Sequence, residues 1–392
     1  MSVVSRWSTC HCASAGSARA NRASIARSRR SVRTGKPAGL LAPAGFPSCR
    51  HLPARGIGLS LVTVKGERPR VCVVGSFVID LMFRVRHRPG PGETMLADDF
   101  GMFLGGKGFN QAVGSRRLGA DVGIVGRVGR DPFGEMFLGK LEQEGIDLSG
   151  VTRDAEAGTA IATPVVDENG QNSIIAAPRA NMRVTLDDIQ AAAEQIALAD
   201  ILMLQFEVPL AASRRAAEIA GEHKTLVMLD PAPVRHGAPD EVRSQSTEAG
   251  AQSPGTLDHW TTRPLDHFYI DYLVPNEVEA HMLTGRMTPE EAAAVLLPET
   301  QRGVVISLGE MGALAVSRAA LNRFPAHKVN VVDTTGAGDA FRAGLAVRVA
   351  EGASLDDAVR FANACGALAC TVTGAEPSMP RRSAVELLLA QE

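Results

Sequence analysis

The sequence has no apolar run of the 18 or more residues that a membrane-spanning helix requires. It is also poor in cysteine: the six cysteines, at positions 10, 12, 49, 72, 365 and 370, form no C-x-x-C pair and have no matching histidine spacing. The first absence excludes a membrane span, and the second argues against a structural zinc site or a disulfide framework. We therefore expect no membrane partner, and reduced thiols of the kind found in a cytosol-like compartment.

Acidic residues are almost absent from the first 70 positions. That stretch carries 13 Lys+Arg against one acid, Glu67, which is a net charge of +12. It leaves 28 basic and 42 acidic residues, a net charge of −14, for 71–392, so the overall charge of −2 is a cancellation between two unlike parts. Nucleic-acid binding by the acidic part is disfavoured, because that part lacks the basic surface that phosphate neutralisation requires.

Segment 1–70 is rich in Arg, Ser and Ala and has no sustained apolar period. We expect it to be a disordered basic extension, because it can bury too little apolar surface to offset the ordering of its backbone. Two origins are open: an organelle transit peptide, or a translation start assigned too far upstream. The expected location is the cytoplasm, or an organelle if the extension is a transit peptide.

From Val71 onward, short apolar runs alternate with amphipathic segments. The apolar runs typical of buried strands are 71–74, 124–126, 201–204, 226–229 and 304–306. Helical patterns over 186–197 and 213–222 lie between them. Strands separated by helices predict an α/β fold with a mostly parallel sheet covered by helices on both faces, and such sheets bind ligands beyond the carboxyl ends of their strands.

Two further segments, 80–104 and 159–178, contain β-prone runs with no helix between them, and the second includes a turn at 167–170. They predict a small antiparallel β lid that projects from the main sheet. The polar segment 242–265 predicts a long inserted loop, for which disorder is favoured over a functional role.

The most informative stretch is DTTGAGDAF, residues 333–341. It follows a predicted strand over 328–332 and opens a predicted helix that ends near Gly352. Because its residues are small, the backbone N–H groups of 336–339 can point at one oxyanion, and the helix N-terminus adds partial positive charge. The stretch is neither a Rossmann fingerprint, because no third glycine follows, nor a Walker A loop.

Asp339 is an unexpected residue beside an anion-binding turn. A carboxylate repels phosphate, so its presence indicates another task, namely to accept a proton from an alcohol that attacks the γ-phosphate of a nucleotide. The alternative is that Asp339 is only a first-turn helix acid stabilised by the helix dipole.

A second glycine-rich stretch, GGKGFNQA, covers residues 105–112. It nearly matches a Walker A loop, but Gly108 stands where that loop needs a hydroxyl for Mg²⁺, so the P-loop interpretation fails. Two alternatives are open: a glycine turn at a helix start that presents Lys107 and Asn110 to a polyhydroxylated ligand, or a simple surface loop.

The two stretches, in this order and about 230 residues apart, resemble the ribokinase (PfkB) family of carbohydrate kinases. Four further segments resemble that family: GSFVID at 75–80, GRVGRDPFG at 126–134, NEVE at 276–279 and SLGEMG at 307–312. The resemblance spans roughly 71–385. It implies a ribokinase-like fold, a kinase domain over 71–392, ATP and a small-molecule sugar as ligands, and a homodimer formed through the lid sheets.

The resemblance implies that Asp339 is the catalytic base that deprotonates a primary hydroxyl of the sugar. The backbone of Gly336, Ala337 and Gly338 would form an anion hole for the transferred γ-phosphoryl group. The implied sugar-binding residues are Val78, Asp80, Gly106, Lys107, Gly108, Asn110 and Glu207, together with Asp339. The implied ATP-binding residues are Asn276, Ser307, Leu308, Gly309, Glu310, Met311, Gly312, Gly338, Asp339 and Asn363.

Two of the implied sugar-binding residues, Asp80 and Glu207, have an alternative explanation. When each is considered alone, a solvated carboxylate near a strand end is the favoured interpretation. For metal ions, the resemblance implies that Glu279 acts on Mg²⁺ through water, since Mg²⁺ keeps much of its hydration shell. It also implies an activating K⁺. The K⁺ ligands would be Asp333, Thr335, Ala369, Val372, Gly374 and Ser378.

Three positions depart from the family pattern. The family often has Asn at the position of Val78, and valine cannot hydrogen-bond a sugar hydroxyl. The site is therefore expected to discriminate only weakly against a sugar that lacks that hydroxyl. Phe109 replaces a usual small residue and Arg179 a usual glycine, and we expect both to reshape the pocket. The predicted reaction is transfer of the γ-phosphoryl group of ATP to O5 of D-ribose, with 2-deoxyribose or another pentose left open.

Two other functions stay open. A kinase of the same family that acts on a nucleoside or a hexose derivative would share every motif. A catalytically silent sugar-binding regulator could have the same fold, although the intact Gly336, Gly338 and Asp339 argue against it.

Overall fold

The computed structural model describes residues 68–169, 171–234, 265 and 268–391. The extension predicted for 1–70 and the loop predicted for 242–265 lie outside the described residues, except for 68–70 and 265. The strands are β1 Arg70–Val74, β2 Val78–Arg84, β3 Asp99–Gly105, β4 Asp121–Gly129, β5 Asp147–Asp154, β6 Ala160–Val166, β7 Asn172–Ala177, β8 Ile201–Gln205, β9 Leu226–Asp230, β10 Tyr272–Leu273, β11 Gly303–Ser307, β12 Ala313–Ser317 and β13 Leu321–Phe324. The helices are α1 Lys107–Arg117, α2 Pro132–Glu144, α3 Leu186–Ala191, α4 Ala193–Ala197, α5 Leu210–His223, α6 Glu277–Thr284, α7 Pro289–Leu296, α8 Ala337–Ala350, α9 Leu355–Ala369, α10 Ala375–Ser378 and α11 Arg382–Leu389.

Nine of the described strands form one sheet, in the order β13-β12-β11-β10-β9-β8-β1-β4-β5. The neighbours from β11 to β5 all run parallel, and only the pairs β11/β12 and β12/β13, at one edge, are antiparallel. The five apolar runs predicted as buried strands lie in β1, β4, β8, β9 and β11. The predicted α/β class, with its mostly parallel sheet, is therefore confirmed.

The two faces of the large sheet bury separate hydrophobic cores. Val71 and Val73 of β1 face the core that includes residues of α1, α2, α8, α9 and α11, whereas Cys72 and Val74 face the core that includes residues of α3, α4, α5, α6 and α7. Successive strand residues point to opposite faces, so a strand buried on both sides reads as a continuous apolar run. Among the described helices, none combines the length and hydrophobicity needed to span a bilayer.

A second sheet, in the order β3-β2-β6-β7, forms the lid. It is mixed rather than wholly antiparallel: β2/β3 and β6/β7 are antiparallel, and the central pair β2/β6 is parallel. The two β-prone segments are separated by α1, β4, α2 and β5, a connection long enough to allow a parallel pair. The predicted turn is present at its described residues, where Asp167 Oδ1 accepts the N–H groups of Asn169 and Gln171, both at 3.0 Å.

The chain crosses between the lid and the large sheet four times, and these crossings contact one another. The side-chain amide of Asn181, beyond β7, accepts from Phe77 N and donates to Phe77 O, both at 3.0 Å. Arg179 Nη1 donates to Thr159 O, just before β6, at 3.0 Å. Gly106, beyond β3, packs so closely on the entry to β2 that a Cβ there would lie 2.8 Å from the backbone nitrogen of residue 78.

Two predicted elements differ from the structure. The segment 328–332 is irregular rather than a strand, and the N–H of Val332 bonds to Cys370 O at 2.8 Å instead of to a neighbouring strand. The helix predicted over 186–197 is divided into α3 and α4 at Ala192, whose ψ of 8° interrupts the helical backbone.

Candidate active site

The two glycine-rich stretches meet at the carboxyl edge of the large sheet. Strand β1 ends directly before Gly75-Ser76, and its successive neighbours β8 and β9 end at Gln205 and Asp230. Helices α1 and α8 begin with Lys107 and Ala337 and pack against each other. Segments far apart in the sequence thus form one site, at the edge where parallel sheets bind ligands.

Asp339, in the first turn of α8, is the central carboxylate of this site and is only 7% exposed. Its Oδ2 accepts the side-chain amide of Asn110 at 2.9 Å, and its Oδ1 accepts that of Gln111 at 3.2 Å. Lys107 Nζ lies 3.8 Å from Oδ1. Three polar groups of α1 therefore fix the orientation of the Asp339 carboxylate.

The turn before Asp339 has the backbone geometry of an anion site. Gly336 is the N-cap of α8 with φ 80°, a left-handed conformation that glycine adopts without strain. The N–H of Ala337 donates to Thr334 O at 3.2 Å and closes the turn. The N–H groups of Gly338 and Asp339 follow in the first helical turn, where backbone donors have no partner within the helix. These donors and the helix dipole favour a bound anion.

Asp80 and Glu207 form a carboxylate cluster with Asp339. Glu207 Oε2 accepts the hydroxyl of Ser76 and the N–H of Lys107, the latter at 3.0 Å. Burial raises the pKa of Glu207. Burial, then repulsion from Glu207 and Asp339, raises the pKa of Asp80 to about 7. The cluster is therefore a dense set of hydrogen-bond acceptors, of the kind that suits a ligand with several hydroxyl groups.

Lys107 supplies positive charge to this cluster. Its Nζ lies 3.2 Å from Asp230 Oδ2 and also faces Asp339. Burial alone would lower the pKa of Lys107, but the charges of Asp230 and Asp339 outweigh burial and raise it above its usual value. The side chain is therefore a fixed cation between two carboxylates.

Asn276 and Glu279 form a capping box at the start of α6, and Glu279 accepts from Arg342 of α8. Asn276 Oδ1 accepts the N–H of Glu279 at 2.8 Å, and Glu279 Oε2 accepts the N–H of Asn276 at the same distance. The side-chain amide of Asn276 donates to Glu279 Oε1, also at 2.8 Å. The predicted N-x-x-E signature is thus a rigid helix start, with both side chains held by local hydrogen bonds.

The loop over 307–312 lies next to Asn276, since Asn276 and Ser307 form an isolated β-bridge. Gly312 has φ 89°, and a Cβ there would lie 1.9 Å from Phe324 O, so the loop requires glycine at this position. Asn363 is buried, and its amide donates to Phe324 O at 3.3 Å and to Pro325 O at 3.1 Å. Its side chain therefore holds the backbone after β13. Within the loop, Leu308 is 8% exposed, Met311 is exposed, and Gly309 and Glu310 belong to a 3-10 turn.

The six residues predicted to bind K⁺ lie in two adjoining segments. Asp333 Oδ2 accepts the N–H of Gly374 at 2.8 Å, and Asp333 Oδ1 accepts the hydroxyl of Thr335 at 2.7 Å. Although burial opposes it, these hydrogen bonds lower the pKa of Asp333. Ser378 Oγ is 3.5 Å from Thr335 O, and Ala369 O accepts the N–H of Val372 at 3.3 Å. In the described part of the chain, no group of three or more His, Cys, Asp or Glu could hold a metal ion.

The three departures from the family pattern have different surroundings. Val78 begins β2 and is partly buried beside the glycine turn, in register with Gly105. Phe109 is fully buried, and its ring packs against those of Phe77 and Phe137 at centroid distances of 6.1 and 4.8 Å. It therefore belongs to the core and not to the pocket surface. Arg179 has φ 40°, the left-handed region in which the usual glycine is free of strain.

Five polar residues of the site were not predicted from the sequence as site residues: Ser76, Gln111, Gln205, Asp230 and Arg342. A signal existed for Gln205 and Asp230, because each directly ends a buried apolar run, where side chains reach the ligand edge of a parallel sheet. Arg342 was detectable as a charged residue among the apolar positions of the helix predicted after 338.

Comparisons with known proteins agree with this architecture. The family described as pfkB family carbohydrate kinase matches residues 68–246 and 256–382. A ribokinase of Bacillus subtilis is 36% identical over 327 residues, which cover 82% of this chain and 99% of that protein. A deoxyribokinase of Salmonella typhi is 31% identical over 318 residues, which cover 79% of this chain and 95% of that protein.

Among solved structures, Arabidopsis thaliana ribokinase complexed with ribose and ATP superposes with a TM-score of 0.70 at 31% identity, covering 82% of this chain and 99% of that one. The fold is thus ribokinase-like over nearly the whole of that structure. Together with the family match on both segments, this shows that the chain belongs to the pfkB family of carbohydrate kinases, phosphotransferases that act on a sugar hydroxyl.

Proposed function

We propose that the protein transfers the γ-phosphoryl group of ATP to O5 of D-ribose and releases ribose 5-phosphate and ADP. The observation that carries the proposal is the contact of Asp339, at the N-terminus of α8, with Asn110 and Gln111 of the predicted sugar motif. A base and an anion-binding helix start are thereby joined to a polyhydroxyl-binding turn. The relatives named ribokinase support ribose as the sugar.

In this proposal, the sugar lies among Asp80, Lys107, Asn110 and Glu207. The carboxylates accept hydrogen bonds from its hydroxyl groups, and Lys107 and Asn110 donate to its oxygens. The primary hydroxyl then points at Asp339, which accepts its proton as the oxygen attacks phosphorus. A positioned base of this kind contributes on the order of 10² to 10⁴ in rate, and positioning and charge stabilisation supply the rest.

The nucleotide would bind on the other side of Asp339, with its γ-phosphate at the first turn of α8. Backbone N–H groups of 336–338 and the helix dipole would stabilise the charge on the transferred group. Asn276 and the loop over 307–312 would line the remainder of the ATP site. Asn363 would act there by holding the backbone at 324–325.

Glu279 fits the indirect contact with Mg²⁺ that the family implies. Its Oε2 accepts from Asn276 N and from Arg342 Nη2, whereas the only hydrogen bond described at its Oε1 is from the Asn276 amide. Lone pairs on Oε1 are thus available to a water molecule of the hydrated ion. When bound, the ion supplies neutralisation of charge on the ATP phosphates. For K⁺, the oxygen atoms of 333–335 and 369–378 would form the site.

A homodimer through the lid is part of the proposal. The lid exposes several large apolar side chains, and such a patch favours an interface. The exposed residues are Phe100, Met102, Ile174 and Ile175. Sedimentation of the full chain should give a mass of two copies, and a monomer at micromolar concentration would contradict this.

A second candidate is phosphorylation of 2-deoxyribose. It is favoured by Val78, which offers no hydrogen bond to a sugar hydroxyl, and by the deoxyribokinase among the relatives. The two sugars share the O5 hydroxyl, so the chemistry would be the same.

ADP release measured across ribose, 2-deoxyribose, nucleosides and hexose derivatives, with and without K⁺, tests these proposals. Ribose should give the highest kcat/KM, K⁺ should raise turnover, and phosphorus NMR should locate the product phosphate on O5. A higher kcat/KM with 2-deoxyribose or a nucleoside would overturn ribose as the substrate. Absence of ADP release with every sugar would favour the silent regulator.

A further inference from the structure

A buried arginine lies between the two halves of the site. Arg342 follows Asp339 by three residues on α8, so both lie on one helix face, and Arg342 is 3% exposed. Its Nη2 is 3.0 Å from Asp230 Oδ1 and 3.2 Å from Glu279 Oε2, and its Nε donates to Val274 O at 3.0 Å. One guanidinium group therefore bridges two carboxylates from different elements.

These contacts continue to the sugar side. The other oxygen of Asp230, Oδ2, is 3.2 Å from Lys107 Nζ and accepts the side-chain amide of Gln111 at 3.2 Å. Lys107, Asp230, Arg342 and Glu279 thus form an ion-pair relay of alternating charge. It runs from the lysine beside the carboxylate cluster to the glutamate of the N-x-x-E signature.

The guanidinium group of Arg342 also lies close to Gly338 of the predicted anion hole. A Cβ at Gly338 would stand 2.7 Å from Arg342 Nη1. The positive charge is therefore next to the backbone whose N–H groups would receive the γ-phosphoryl group. Charge fixed in a buried, preorganised position stabilises a developing anion more than the same charge in water would.

We infer that Arg342 is a positioning residue for phosphoryl transfer: it sets Lys107, through Asp230, and Glu279 at fixed distances from Asp339, and its charge supports the anion hole. The inference rests on the proposed function for the roles of Lys107 and Glu279. The competing explanation is that Arg342 only neutralises the carboxylates of Asp230 and Glu279. In that case its replacement lowers stability but leaves the turnover of folded enzyme unchanged.

Three variants of the full chain separate these explanations. Arg342→Gln removes the charge, and Arg342→Lys keeps it but has a single nitrogen, which cannot contact the two carboxylates and also replace the Nε donor to Val274 O. Arg348→Gln is the matched control, because Arg348 lies six residues further along α8 and pairs with Glu351. Each variant is assayed with the sugar that the wild type phosphorylates best. ADP binding is measured by calorimetry with and without Mg²⁺, and the melting temperature is recorded.

For Arg342→Gln we expect kcat to fall about 100-fold, while KM for ATP changes less than threefold. Mg²⁺ should no longer tighten the binding of ADP to this variant. Arg342→Lys should melt near the wild type and have intermediate kcat, and Arg348→Gln should keep kcat within twofold. Arg342→Lys with wild-type kcat and a wild-type Mg²⁺ effect would overturn the inference, even if Arg342→Gln does not fold. Failure of ribose as the substrate would show in the wild type, independently of these comparisons.

Discussion

Replacement of Asp80 by asparagine should stabilise the protein at alkaline pH while weakening sugar binding. Burial, then repulsion from Glu207 and Asp339, raises the pKa of Asp80 to about 7, from 3.8. The folded protein therefore holds a proton between those two pH values that the unfolded chain has released. Stability contributed by the protonated form is full below 3.8 and is lost as pH rises through 7. Asparagine cannot ionise, so Asp80→Asn avoids that loss.

The magnitude follows from the pH window. Between pH 5 and its pKa of about 7, Asp80 stays protonated only in the folded protein, over roughly 2 pH units. The free energy of unfolding of the wild type therefore falls by at most about 2.7 kcal/mol between pH 5 and pH 8. Solvent screening of the partly buried carboxylate reduces the expected figure to about 1 to 2 kcal/mol. The advantage of Asp80→Asn over the wild type in free energy of unfolding should thus be larger at pH 8 than at pH 5 by that amount. Because a charged acceptor is lost, KM for the sugar should rise by roughly 10-fold or more.

Urea denaturation at both pH values and initial-rate kinetics measure these effects. Asp99→Asn is the matched control, since Asp99 is an exposed carboxylate on the neighbouring lid strand β3. It should show no pH-dependent advantage and a wild-type KM. An equal advantage of Asp80→Asn at pH 5 and pH 8 would refute the reasoning, because the repulsion would then not depend on ionisation of Asp80.

Three further predictions concern single positions. Asp339→Asn should lower kcat on the order of 10² to 10⁴, with sugar and ATP binding within threefold of the wild type by calorimetry, because only the proton acceptor is lost. Val78→Asn should raise the kcat/KM preference for ribose over 2-deoxyribose by roughly 10-fold or more in parallel ADP-release assays, since a buried amide is left unpaired by the sugar that lacks the hydroxyl. Both Arg179→Gly and Arg179→Ala lose the hydrogen bond to Thr159 O, but only glycine also relieves the strain of the left-handed backbone. In urea denaturation, Arg179→Gly should therefore change the free energy of unfolding by less than about 0.5 kcal/mol, whereas Arg179→Ala should lower it by about 1 kcal/mol.

Each of these predictions has an outcome that contradicts it. Turnover retained in Asp339→Asn would remove its role as base. An unchanged sugar preference in Val78→Asn would mean that position 78 does not face the distinguishing hydroxyl. Equal stability losses in the two Arg179 variants would mean that the backbone at 179 is not strained.

The sequence allowed the layers of the fold and much of the candidate site to be predicted, because local signals carried them. The buried strands were visible as apolar runs, and the glycines of 105–108 and 336–338 indicated sharp turns at helix starts. Strand order was not accessible in the same way: the placement of β1 between β4 and β8 depends on contacts between distant segments. The segment 328–332 has strand-like composition, but its backbone bonds to Cys370 O, at the end of α9, and this long-range contact left no signal in the sequence.

The ion-pair relay shows the same limit for side chains. Lys107, Asp230, Glu279 and Arg342 come from four elements, and no spacing in the sequence links them. The sequence can mark a charged residue in an apolar context, as it does for Asp230 and Arg342, but its partner is set by tertiary packing. Phe109 is a converse case, since it stands between the site residues Lys107 and Asn110 in the sequence while its ring belongs to the aromatic core.

The belt of contacts at the lid crossings has a thermodynamic consequence. The contacts of Phe77 with Asn181 and of residue 78 with Gly106 flank Ser76 and Lys107, which both bond to Glu207. The crossings to the lid and the proposed sugar-binding residues therefore share the same few peptide units. A rotation of the lid changes the pocket that the ligand meets, and an occupied pocket restrains the crossings. Under the proposed function, the angle of the lid and the affinity for the sugar would therefore be coupled directly, with no intervening element between them.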